Sequence, residues 1–264
     1  MRMNKPSPRT RPRHRHATTG PGDAGPSTRH GIARVLSKRG LCSRSQAEAL
    51  VRAGRVTLDG RIVRDPETPV ATDRGIVRVD GIEVTAAERV VVMLNKPRGL
   101  VTSRADERSR DTVYRCLDDD GLPWLAPVGR LDKASEGLLL FSNDPVWAAA
   151  VTAPDARIEK TYHVQIDRNA GDDLSAQLHA GIVDRGERLA ARRVEILRRG
   201  DKNSWLAIVL DEGRNRHIRR LLAAHGIGVL RLIRVAIGPL VLGDLPKGAW
   251  RRLDADEQAL LVPR

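Results

Sequence analysis

The chain has 264 residues, with 46 Lys and Arg against 33 Asp and Glu, for a formal net charge of +13. That length holds two domains with a sizeable core in the larger, and the charge points to a polyanionic partner. Two cysteines, Cys42 and Cys116, make neither a metal-site spacing nor a disulfide framework, and no apolar run approaches the roughly 18 residues of a membrane span. Free thiols in a reducing compartment are therefore expected, in a cytoplasmic protein with no membrane attachment.

Residues 1–29 combine Arg, Pro, Gly, Ser and Thr with almost nothing apolar, and carry six of the thirteen net positive charges. The expectation is a disordered basic arm that adds nonspecific phosphate contacts. It has no apolar stretch of the kind a secretory signal needs.

From His30 the pattern becomes helical: Ile32, Val35 and Leu36 share a face, and Gly40 marks an end. Ser43 or Ser45 caps a second helix with Ala47, Leu50 and Val51 inward, closed by Gly54. Val56–Val63 and Val77–Val84 each read as two short strands around an Asp-Gly turn. This gives a compact module at 30–88, followed from 89 to 264 by a larger domain. Strands are predicted there at Val90–Leu94, Leu138–Phe141, Thr161–Ile166, Arg193–Leu197, Trp205–Leu210 and Leu230–Ile237. Helices are predicted at Val146–Thr152, Asp173–His179 and Asn215–His225. The order implies an α+β fold on a mixed, mostly antiparallel sheet.

Arg34 and Lys38 lie four apart on the first helix, with Arg39 at its end. Ser43 and Arg44 open the second, where backbone N–H groups favour a phosphate, and Arg52 and Arg55 extend the positive surface. The run Gly40-Leu41-Cys42-Ser43-Arg44-Ser45-Gln46-Ala47-Glu48-Ala49-Leu50, with Gly54-Arg55-Val56 and Asp59-Gly60, resembles the S-four-like (alpha-L) RNA-binding domain. RNA binding is what that resemblance implies, by shape and phosphate contacts.

In the larger domain Gly129-Arg130-Leu131-Asp132-Lys133-Ala134-Ser135-Glu136-Gly137 runs into the apolar strand Leu138–Phe141. On spacing alone Asp132 can be a turn cap or a reacting group mounted at a sheet rim. Three further segments accompany it: Asn95-Lys96-Pro97-Arg98-Gly99, Glu159-Lys160-Thr161-Tyr162-His163, and Glu212-Gly213-Arg214-Asn215-Arg216-His217-Ile218-Arg219-Arg220. Together, in this order and behind an S-four-like module, they resemble the bacterial ribosomal-RNA pseudouridine synthases of the group containing RsuA, RluB and RluF.

That resemblance implies isomerisation of a uridine within ribosomal RNA, free or in an assembly intermediate. Atoms and oxidation level do not change, so no cofactor or metal is expected. Asp132 is the implied catalytic carboxylate, Arg219 its guanidinium partner, and Tyr162 the ring beside the extruded base. Arg130 is read as holding the flipped nucleotide's place or phosphate, and Lys96, Arg214 and Arg216 as RNA-backbone contacts. A noncatalytic ribosome-assembly factor and a tRNA pseudouridine synthase are the alternatives, and a monomer is the expected state.

Overall fold

The computed structural model describes residues 29–71, 75–103, 111–117 and 121–262. The arm foreseen at 1–29 lies outside them except for Arg29. The N-terminal module comprises β1 (Arg29–Gly31), α1 (Ile32–Lys38), α2 (Arg44–Arg52), β2 (Val56–Leu58), β3 (Arg61–Val63), β4 (Pro69–Ala71), β5 (Val77–Val79) and β6 (Ile82–Glu83).

Ile32, Val35, Leu36, Ala47 and Val51 fall on the facing sides of α1 and α2 and form one core with Val56, Val70 and Val77. Ser43 caps α2 by accepting from the Gln46 N–H, while Gln46 accepts from the Ser43 N–H in return. Both hairpins turn as expected. Asp59 and Gly60, like Asp80 and Gly81, have positive φ at the two central positions, the backbone of a type I′ turn.

The larger domain comprises β7 (Val91–Lys96), β8 (Ala126–Val128), β9 (Glu136–Ser142), α3 (Pro145–Thr152), β10 (Lys160–Ile166), α4 (Leu174–Ala180), β11 (Ile182–Asp184), β12 (Glu187–Leu189) and β13 (Arg193–Arg199). It continues with β14 (Ser204–Leu210), α5 (His217–Ala224), β15 (Val229–Ile237), β16 (Leu240–Val241), β17 (Trp250–Arg252) and α6 (Ala255–Leu260). Nine strands form one sheet in the order β13-β14-β10-β15-β9-β7-β17, with β8 beside β9 and β16 beside β15. Every pairing in it is antiparallel except β15 with β9.

β9 lies in the middle of this sheet, and all seven of its residues are buried. Period-two alternation divides its apolar side chains between two clusters. Leu139 and Phe141 pack with Tyr162, Val164, Ile208, Ile218 and Leu221 under α4 and α5. Leu138 and Leu140 pack with Trp147, Val151 and Leu261 under α3 and α6.

Candidate active site

Asp132 stands in the loop that enters β9, and three other segments grip that loop by its backbone. Thr102 Oγ1 donates to the Leu131 carbonyl at 2.8 Å and accepts from the Leu131 N–H at 3.3 Å. Lys96 Nζ donates to the carbonyls of Ser135 (2.8 Å), Pro97 (3.1 Å) and Asp132 (3.2 Å). The Gly99 N–H donates to the Lys133 carbonyl at 2.8 Å, and Arg219 Nη2 donates to that of Ala134 at 3.1 Å. Within the loop, the Ser135 N–H closes a turn on the Asp132 carbonyl at 2.9 Å. Nearly every peptide around Asp132 is therefore occupied, while its half-buried carboxylate takes no hydrogen bond among the described residues. A fixed backbone carrying an unengaged acid is an arrangement suited to chemistry on something not yet bound.

The Asp132 charge acts through space on two cations. Burial holds the Lys96 ammonium down to about 8, against the opposing pull of Asp132, Glu136 and Cys116. Burial and then the charge of Arg216 hold the Arg219 guanidinium below its ordinary range, and Asp132 opposes them. Arg219 also donates to the Val229 carbonyl at 3.4 Å, so it ties the loop to the start of β15.

The sheet sets Tyr162 in line with β9, the strand that the Asp132 loop enters. Tyr162 on β10 pairs with Arg234 on β15, and Arg234 pairs with Gly137 on β9, so the three form one row across the strands. Tyr162 lies in the same cluster as Leu131 and Ile218, the neighbours of Asp132 and Arg219 in sequence. Its ring is nine-tenths buried, and its hydroxyl makes no hydrogen bond among the described residues. Gly137 is what lets β15 approach. Its φ is +97°, and a Cβ there would lie 2.3 Å from the Arg234 carbonyl oxygen.

Two family models match. Residues 90–224 fit RNA pseudouridylate synthase, and residues 31–74 fit the S4 domain. The chain belongs to the RNA pseudouridylate synthase family. An uncharacterised RNA pseudouridine synthase of Rickettsia bellii is 36% identical over 222 residues, covering 84% of this chain and 96% of that protein. A ribosomal large subunit pseudouridine synthase B of Yersinia pestis is 34% identical over 230 residues, 84% of this chain and 72% of its own length. A crystal structure of a pseudouridylate synthase, 31% identical, superposes with a TM-score of 0.63 and covers 88% of this chain and all of its own.

In this synthase some expected roles change. Arg219 makes no hydrogen bond to Asp132: its Nη2 and Nη1 meet the carbonyls of Ala134 and Val229, and its buried Nε has no partner among the described residues. Lys96 is not an RNA contact: strand alternation turns it inward with Leu94, it is fully buried, and its ammonium is spent on three carbonyls. Arg214 is tied to Glu212 at 2.8 Å and Glu187 at 3.6 Å. Arg130 and Arg216 are exposed and have no ion pair among the described residues.

On the S4 module, Arg34 is exposed, while Lys38 Nζ lies 2.8 Å from the His30 ring. Arg39 points inward, donating to the Val84 carbonyl at 2.7 Å. Arg44 pairs with Glu48 and Glu67, Arg52 with Glu48, and Arg55 with Asp80. Ser43 is engaged as the helix cap.

Sequence reasoning missed Glu136. Its buried carboxylate takes two bonds from Arg231, at 3.1 and 3.2 Å, and one from Lys247 at 2.7 Å. Burial pushes its pKa up, but the bonds from Arg231 and Lys247 outweigh this and hold it below the ordinary carboxylate range. An acid heading an apolar strand was the available signal, since such a charge must have partners.

Proposed function

We propose that this synthase isomerises a uridine of ribosomal RNA, free or in an assembly intermediate, with Asp132 as its catalytic carboxylate. The single observation that carries this reading is the unengaged Asp132 carboxylate on a loop whose backbone is fastened from three sides. The choice of ribosomal RNA is supported by the name of the Yersinia pestis relative.

The reaction breaks the bond from uracil N1 to ribose C1′, turns the base in place, and joins C1′ to C5; the proton on C5 leaves and N1 gains one. An ionised carboxylate serves either as nucleophile or as base at the sugar. Lys96 and Arg219 position the loop through its carbonyls. Tyr162 offers a ring for the extruded base and a hydroxyl for proton transfer. Arg130 and Arg216 meet RNA phosphates at the mouth, as does Arg214 when its acidic partners yield. Arg34, Lys38, Ser43 and Arg44 belong to the RNA-reading module of 30–88, and residues 89–264 form the catalytic unit of a monomer.

Asp132→Asn tests this, since the amide keeps the shape and loses the charge. RNA affinity is expected within about twofold of wild type, in line with a substitution that removes no phosphate contact, and pseudouridine formation is expected to be abolished. Retained turnover in that variant rejects the assignment.

A further inference from the structure

Among the described residues, one part of the sheet has no helix packed over it. The apolar cluster beneath α3 and α6 draws on β7, β8, β9, β15 and β16 but on no residue of β10, β13 or β14. On those strands Leu206, Ile208 and Val164 turn toward the other cluster, so His163, Gln165, Trp205 and Ala207 face the opposite way, and each is partly exposed. The registers place Arg198, Trp205, Gln165 and Arg231 in one row across β13, β14, β10 and β15. Glu195, Ala207, His163 and Ile233 form the next.

Trp205 is the centre of this face. Its indole is half-buried, and the Arg231 guanidinium carbon lies 5.6 Å from the ring centroid. Arg231 is not free to wander, because its edge is held by the two bonds to Glu136. Arg198, the cross-strand partner of Trp205 on β13, is exposed and has no ion pair among the described residues. Leu197, displaced by the bulge between Ile196 and Arg198, is 43% exposed.

We infer that this face is a second RNA-binding surface, which stacks a base of single-stranded RNA on Trp205 and meets the adjoining phosphates with Arg198. An aromatic ring with one guanidinium over it and a second on the neighbouring strand is what single strands recognise: the ring's other face can stack any base, and the cations follow the backbone. Charge favours RNA over a protein partner. The apolar area is confined to Trp205, Leu197, Ala207 and Ile233, flanked by Arg198 and Arg231, with the exposed acid Glu195 in the next row. The face also lies opposite the one that carries Tyr162. It therefore holds a strand remote from the target uridine, and contributes affinity without touching the reacting base.

The test uses the full chain and a single-stranded RNA oligomer carrying 4-thiouridine and a fluorophore. Photo-cross-linked peptides are expected to include 193–199 or 204–210. Trp205→Ala and Arg198→Glu should each weaken binding by about tenfold, the scale of one stacked base, with turnover on saturating RNA unchanged. Cross-links absent from both peptides overturn the inference. So does wild-type affinity in Arg198→Glu, an exposed position whose change leaves the core intact and which decides the matter if Trp205→Ala fails to fold. A Trp205→Ala protein that binds RNA normally but loses self-association identifies a protein contact instead, which also overturns it.

Discussion

Lys96 makes the Asp132 loop sensitive to alkali in a calculable direction. Its folded value of about 8 lies below its ordinary 10.5, so the folded protein releases this proton first. Keeping the buried charge costs stability at all pH values below about 8, and the cost fades as pH rises toward 10.5. A difference of 2.5 pH units corresponds to about 3 kcal/mol. Between pH 7 and 9.5 the recovered part is about 2 kcal/mol. Lys96→Met removes this titration, but it also strands the carbonyls of Pro97, Asp132 and Ser135, at about 1–3 kcal/mol for each that finds no water. The variant is therefore expected to be less stable than wild type at pH 7. Urea unfolding of both proteins at the two pH values measures the effect, because every other titrating group is common to both. The wild type should gain about 2 kcal/mol more than Lys96→Met on going to pH 9.5. Equal gains would refute the reasoning, since the buried ammonium would then not be titrating at all.

Gly137→Ala forces a side chain against the Arg234 carbonyl in a positive-φ backbone. A loss of about 3 kcal/mol or more is expected in urea unfolding, with turnover falling as β15 and the Asp132 loop move apart. Glu136→Gln leaves the cations Arg231 and Lys247 facing a neutral amide, and should cost about 3 kcal/mol at pH 7. Because the folded carboxyl titrates below its ordinary value, the contribution is present above about pH 4.5 and is lost as pH falls through the folded value, so the two proteins should converge in stability in acid. Deleting residues 1–29 removes seven cations and one acid. RNA binding should weaken most at low salt, with a shallower dependence on salt concentration, while turnover on saturating RNA persists; collapse of that turnover would assign the arm a different role.

The sequence by itself determined the local structure. Ser43 with Gln46, the two Asp-Gly turns and the apolar run 138–141 state their conformations through capping, φ preference and burial, all set within a few residues. The motif order likewise marked the family and singled out Asp132, Tyr162 and Arg219. What it could not supply was direction and partnership. Lys96, Arg39 and Glu136 look in one dimension like surface charges, yet each is turned inward onto carbonyls or counter-ions from residues up to 111 positions away. The short strands β8, β11, β12, β16 and β17 escaped notice for a related reason, having too few residues to show a period. Strand register decided the rest. Alternation sends Tyr162 to one face of the sheet and Trp205 to the other, and only the pairing of β10 with its two neighbours fixes which side chains stand beside each. A chain can specify its turns locally, but a site and a surface exist only once distant strands have been laid side by side.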